Sequence, residues 1–74
     1  MITEEQAESM FKKMIETSGG KYTLDFVMEI QFEEPLYVPV LIDENGEQLL
    51  PGEKLQSIEK STGRLVDYIF PCPA

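Results

Sequence analysis

Tyr22-Thr23-Leu24-Asp25-Phe26-Val27-Met28-Glu29-Ile30-Gln31-Phe32 is the stretch that decides the fold. Apolar and polar residues alternate along it. Tyr22, Leu24, Phe26, Met28, Ile30 and Phe32 share one face of an extended chain, and Thr23, Asp25, Val27, Glu29 and Gln31 share the other. Successive side chains of a strand point to opposite sides, so this period of two predicts a strand with one face packed and one in water. That is the pattern of an antiparallel sheet covered on one side. At ~3.3 Å per residue the strand would reach ~36 Å. A helix of about fifteen residues, at ~1.5 Å each, reaches only ~22 Å. The strand must therefore bend, run past the core, or be covered at one end by another subunit.

Upstream of it, Thr3-Glu4-Glu5-Gln6 has the form of a capping box, with Ile2 and Ala7 at the hydrophobic-staple positions. Ala7, Met10, Phe11, Met14 and Ile15 then recur at helical spacing as one apolar stripe. Glu4 and Glu5 stand in the first turn and Lys12 and Lys13 towards the end, the order that the helix dipole favours. Ser18-Gly19-Gly20 stops the helix. The stripe is expected to lie on the protein's own sheet.

Downstream, Glu33-Glu34-Pro35 breaks the first strand, and Leu36-Tyr37-Val38-Pro39-Val40-Leu41-Ile42 follows as an almost unbroken apolar run. Such a run predicts a strand buried on both faces. Pro39 cannot donate to a ladder, so a bulge or an open edge is expected near it. Asp43-Glu44-Asn45-Gly46-Glu47 reads as a turn, with Asn45-Gly46 the usual type I′ pair. Gln48-Leu49-Leu50 is expected as a short returning arm before Pro51-Gly52 turns the chain again. Leu55 to Lys60 and Arg64 to Phe70 flank Ser61-Thr62-Gly63, a three-residue hairpin loop with glycine at the left-handed position. The second arm is rich in β-formers on both faces and is expected to be an inner strand. The spacing of Leu55 and Ile58 leaves a helical turn over Glu53 to Glu59 as the alternative for the first arm. Pro71-Cys72-Pro73 ends the sheet. The fold class expected is α+β: a single domain over residues 1–74, one N-terminal helix packed on an antiparallel sheet of three to five strands.

Composition narrows the function. With 42 % hydrophobic residues the chain can offset its ordering entropy and fold, despite a net charge of −8. A core this small supplies at most a few kcal/mol, and small domains add disulfides, a metal or a second subunit. The one cysteine, Cys72, cannot form an internal bridge. No histidine is present, so neither the usual zinc ligand sets nor histidine acid–base chemistry is expected. Fourteen acids against six bases repel phosphate backbones and anionic lipid, so direct nucleic-acid and membrane binding are not expected. The start of the chain carries no basic and apolar leader, and no apolar run is long enough to span a bilayer, so the expected compartment is the cytoplasm.

The alternating oxygens of Asp43, Asn45 and Glu47 suggest calcium, but an EF-hand loop needs glycine at its sixth position and glutamate at its twelfth. Here Gly46 is fourth and Lys54 twelfth. Asp25 with Glu29, and Glu33 with Glu34, are carboxylate pairs, yet acid–base catalysis needs a cleft that drives two pKa values apart. Cys72 has no histidine to activate it. No enzyme, metal or cofactor is expected.

Pro39 to Asp43 and Lys60-Ser61-Thr62-Gly63-Arg64-Leu65-Val66, set after a helix and a long amphipathic strand, resemble two groups of small bacterial domains. PepSY-like domains carry a charged residue before a Thr-Gly turn and an aliphatic strand after it. YrhB-like immunity proteins have a Pro-Val-Leu-Ile-Asp type of segment before a glycine turn. The likeness covers about a third of the chain, and the immunity resemblance implies a stoichiometric binder that blocks a toxin. The function expected is thus a non-enzymatic, acidic protein-binding module of inhibitor or immunity type, facing a basic patch on its protein partner. Its candidate contacts are Asp25, Glu29, Glu33 and Glu34 on one surface and Asp43, Glu44 and Glu47 on the turn. A homo-oligomeric structural or regulatory domain, paired across a two-fold axis through the uncovered part of the strand Tyr22 to Phe32 or an open edge near Pro39, is the second expectation. A phage-type nucleic-acid mimic is the third.

Overall fold

The computed structural model describes residues 1–31, 33–50 and 54–67. Helix α1 (Glu4–Thr17) is followed by strands β1 (Thr23–Gln31), β2 (Pro35–Ile42), β3 (Ser57–Glu59) and β4 (Leu65–Val66). The strands form one antiparallel sheet in chain order, with the helix laid on one face. This is the expected α+β arrangement. The expectations for Phe32, Pro51-Gly52, Glu53, Tyr68 to Phe70 and Pro71-Cys72-Pro73 fall outside the described residues.

The helix starts and stops where its local chemistry dictates. The Thr3 hydroxyl accepts from the Gln6 N–H at 3.1 Å, and the Thr3 N–H donates to the Gln6 side-chain oxygen at 2.8 Å, which completes the capping box. At the other end Gly20, at φ +69°, brings its N–H to the Ile15 carbonyl at 3.0 Å. Ala7, Phe11 and Ile15 are buried, and Met10 and Met14 pack beside them. The dipole expectation needs correction: the helix runs on to Thr17, so Lys12 and Lys13 sit before its final turn, which holds no base. Lys12 instead pairs with Glu8 at 3.0 Å, one turn earlier.

β1 departs from its sequence pattern at one residue. Leu24 pairs with Leu41 and Phe26 with Val40, which leaves Asp25 as an extra residue, a β-bulge. A bulge shifts the alternation by one. Leu24 and Val27 therefore pack on the helix side, against the cluster of Ala7, Phe11, Tyr37 and Ile58. Phe26, Met28 and Ile30 turn to the far face, and Phe26 is 46 % exposed. The expectation of one continuous apolar face from Tyr22 to Phe32 is thus corrected: the face changes sides at Asp25. The bulge also supplies the bend that a strand longer than its helix requires.

β2 is an inner strand and is buried on both faces, as its unbroken apolar run implies. Pro39 lies neither at a bulge nor on an outer strand. On one side it faces Val27 of β1. On the other, among the described residues, β3 pairs with Leu36 and Tyr37, and the next contacts are the Ile42–Gln48 bridge and the Leu49 N–H on the Leu41 carbonyl at 2.8 Å. Pro39 falls in the gap between the two, where its missing N–H leaves no paired rung unmade.

The turns were half legible. Gly46 is left-handed, at φ +81°, but among the described residues none other than glycine has positive φ, so Asn45-Gly46 is not a type I′ pair. The Asp43 carboxylate holds this turn, accepting from the N–H groups of Asn45 at 2.8 Å and Glu47 at 2.9 Å. Gly63, at φ +78°, occupies the expected left-handed position, and its N–H reaches the Glu59 carbonyl at 2.7 Å. Because the Glu59 N–H also bonds the Arg64 carbonyl at 2.8 Å, the loop is Lys60 to Gly63, one residue longer than expected. Residues 57–59 are strand, which rules out the helical turn there, and β4 is the last strand of the sheet among the described residues rather than an inner one. No helix among the described residues is long and apolar enough to cross a membrane.

Ser57 is fully buried, and its hydroxyl has no hydrogen-bond partner among the described residues. A buried hydroxyl left unpaired costs about 1–3 kcal/mol. Ser57→Ala is therefore expected to raise stability by about 1 kcal/mol, read as a higher urea midpoint at unchanged slope.

Candidate functional site

The candidate acids, Glu29 apart, lie at two opposite ends of the β1–β2 hairpin. At the end where β1 begins and β2 finishes, Asp25 accepts from the Gln48 side-chain amide at 3.1 Å. Asp43 is committed to holding its turn. Glu44 and Glu47 are exposed, and Asp43, Glu44 and Asn45 line a shallow polar recess of about 220 Å³ with Lys21 and Tyr22. Glu29 lies midway along β1 and is already neutralised. Lys60 donates to it at 2.7 Å while standing over the Tyr37 ring, 5.7 Å from its centre. The Glu29 partner raises the Lys60 pKa against the opposing effect of burial.

At the other end, Glu33 and Glu34 join Glu59 and Asp67 around a depression of about 320 Å³ whose apolar floor is Leu36 and Val66. Arg64 is its one cationic side chain, so four carboxylates meet one guanidinium, a local charge of −3. Glu59 anchors the group. It is buried on the β3 strand opposite Leu36 and accepts from the Thr62 hydroxyl at 2.8 Å and from Arg64 at 3.4 Å. The Ser61 hydroxyl stands 3.3 Å from Glu34 and 3.4 Å from Glu59, and its single proton serves one of them at a time. Asp67 accepts from Gln56 at 3.0 Å. The Thr62 hydrogen bond, with help from Arg64, holds the Glu59 carboxyl below its ordinary value in spite of burial, so it is ionised at neutral pH.

Of the seven acids named from the sequence, Glu33 and Glu34 thus enter the depression, Asp25, Asp43, Glu44 and Glu47 lie at the far end, and Glu29 faces Lys60. Glu59, Arg64 and Asp67 were missed. Nothing local marks them, because only the β2–β3 register brings Glu59 beside Leu36. A larger groove of about 670 Å³ runs between the helix end and residues 54–56, floored by Met14 and Leu55 and rimmed by Lys13 and Lys54. Among the described residues, no group of three or more His, Cys, Asp or Glu side chains is placed to hold a metal ion.

An ionised, hydrogen-bonded carboxylate beside others suits recognition of a cation far better than proton donation. Set against known proteins, the chain matches no family model, no curated protein and no solved structure.

A group with a lowered folded pKa adds stability above its unfolded value, and that contribution disappears as pH falls through the folded value. For Glu59 the ordinary value is 4.5. Thr62→Val is expected to lower stability at pH 7, and the pH-dependent part of the gap from wild type should close as pH drops below about 4.5. Urea midpoints measured at several pH values would show it. A gap independent of pH would mean that Glu59 does not depend on Thr62.

Proposed function

We propose that this chain is a non-enzymatic protein-binding module of inhibitor or immunity type, which receives a basic side chain of its partner in the Glu33–Glu34–Glu59–Asp67 depression. The observation that carries this reading is the convergence of four carboxylates on an apolar floor with only Arg64 to balance them. A lysine or arginine entering it would lay its methylenes on Leu36 and Val66 and bring its charge to the rim. Arginine fits best, since its planar fork can engage two carboxylates at once. The field of a chain carrying −8 would speed the encounter and orient it. The cytoplasm is the compartment that suits this reading, and the YrhB-like resemblance of Pro39 to Asp43 agrees with it.

The acids at the Asp43 end offer a weaker version of the same surface, because Asp43 is spent on its turn and Lys21 lies beside it. A nucleic-acid mimic needs one continuous acidic ridge. Here Glu29, between the two ends, is occupied by Lys60.

With a partner recovered by pull-down, the double variant Glu33→Lys/Glu34→Lys is expected to associate at least about ten-fold more slowly than wild type at low salt. Glu44→Lys/Glu47→Lys, at the opposite end, makes the same change in net charge but should slow association far less at about 0.15 M salt, where the Debye length is about 8 Å. Stopped-flow or surface-based rates over a salt series would measure both. Equal rates for the Glu33/Glu34 variant and wild type would overturn the placement of the site.

A further inference from the structure

We propose that two copies of this chain pair through the outer edges of β1, antiparallel, with Met28 facing Met28 across a two-fold axis. β1 is the first strand of the sheet, and among the described residues no strand pairs with its outer side. The bulge at Asp25 ends its regular part on one side, and the Glu33-Glu34 bend ends it on the other. Phe26 to Gln31 remain as six residues in unbroken register with β2. Along them Phe26, Met28 and Ile30 face away from the helix, Phe26 largely exposed and the other two half-buried.

The case for a second copy is that this strand complements itself in one register. A two-fold axis normal to the sheet sets each residue opposite one on the same face. Centred on Met28, it places Phe26 against Ile30 of the other copy and Met28 against itself, so six apolar side chains join into one stripe across the seam. On the helix side Val27 then meets Glu29, and the pairing ends at the bulge, where Asp25 is held by the Gln48 amide. No like charges face each other. Centring on Val27 runs Glu29 and Ile30 of the other copy into the bulge, and centring on Glu29 would oppose two carboxylates. Centring on Phe26 runs the pairing into the bulge, and on Ile30 into the bend.

A joint of one short strand buries less than the ~1,200 Å² of a stable interface, so the dimer is weak. Each copy carries −8, and that repulsion is screened by salt. Salt should therefore tighten the dimer, the reverse of its effect on a basic partner in the acidic depression. The two proposals can fail separately.

The test uses the full chain. By sedimentation equilibrium from about 1 µM to about 300 µM, the mass should rise from 8.4 kDa towards about twice that value, with the midpoint moving at least about three-fold lower between about 0.02 M and about 0.5 M NaCl. In a Cys72→Ser background, Met28→Cys should cross-link to itself under mild oxidant at least about ten times faster than Gln31→Cys, since facing Cβ atoms lie ~4.5–5.5 Å apart whereas two copies of residue 31 are held far from each other. The cross-link reads the register even if bulkier changes at Met28 fail to fold. A monomer at every salt concentration, or equal cross-linking at the two positions, overturns the proposal. So does a chain whose β1 amides gain exchange protection only when a basic partner is added, which would assign the edge to that partner.

Discussion

The bulge at Asp25 is the constraint on which the rest of this fold depends. One extra residue between Leu24 and Phe26 sends Val27 to the helix side and Phe26, Met28 and Ile30 to the far side. Without it, all of the large apolar residues of β1 would compete for the space under one fourteen-residue helix, and the far face of β2 would have Val27 as its one apolar neighbour on that side. With it, Phe26, Met28 and Ile30 stand opposite Val40, Val38 and Leu36, and the inner strand is flanked by apolar side chains on both faces. A strand buried on both faces needs partners on both, and the bulge is how a single long neighbour provides them.

A second set of contacts locks the start of the chain to its last described hairpin. The Ile2 N–H donates to the Lys60 carbonyl at 2.9 Å, and the Tyr37 hydroxyl donates to the Ile2 carbonyl at 3.4 Å. Gly63 fits closely against Ile2, where an added Cβ would lie 3.2 Å from its side chain. Lys60 spans from Tyr37 to Glu29. These bonds join the helix entrance, β1, β2 and the β3–β4 loop. They set where Glu59, Thr62 and Arg64 stand, and so they shape the acidic depression. The binding proposal therefore rests on the same packing that closes the core.

Charge in this protein is organised by pairing rather than by composition. The acid nearest the middle of β1 is matched by Lys60, and the turn acid Asp43 is consumed by backbone donors. Glu33, Glu34 and Asp67 stand beside Glu59, a buried carboxylate kept ionised by a hydroxyl and a guanidinium. Net charge alone, at −8, could not distinguish these fates.

The sequence by itself determined the helix, both of its ends and its buried stripe, because capping, glycine stops and helical spacing are local and act within a few residues of each other. It also determined that β1 and β2 are strands and that β2 is buried on both faces, since those runs are long and consistently patterned. Only the tertiary structure decided which face of β1 meets the helix, why Pro39 is tolerated in an inner strand, and which acids share a site. All three are consequences of pairing between strands. Asp25 is no different from its neighbours as a residue; it becomes a bulge because Leu24 and Phe26 find partners that are adjacent on β2. Glu59 gives no sign of itself in a loop-flanking Glu-Lys-Ser-Thr-Gly, and becomes the anchor of a site because β3 sets it opposite Leu36.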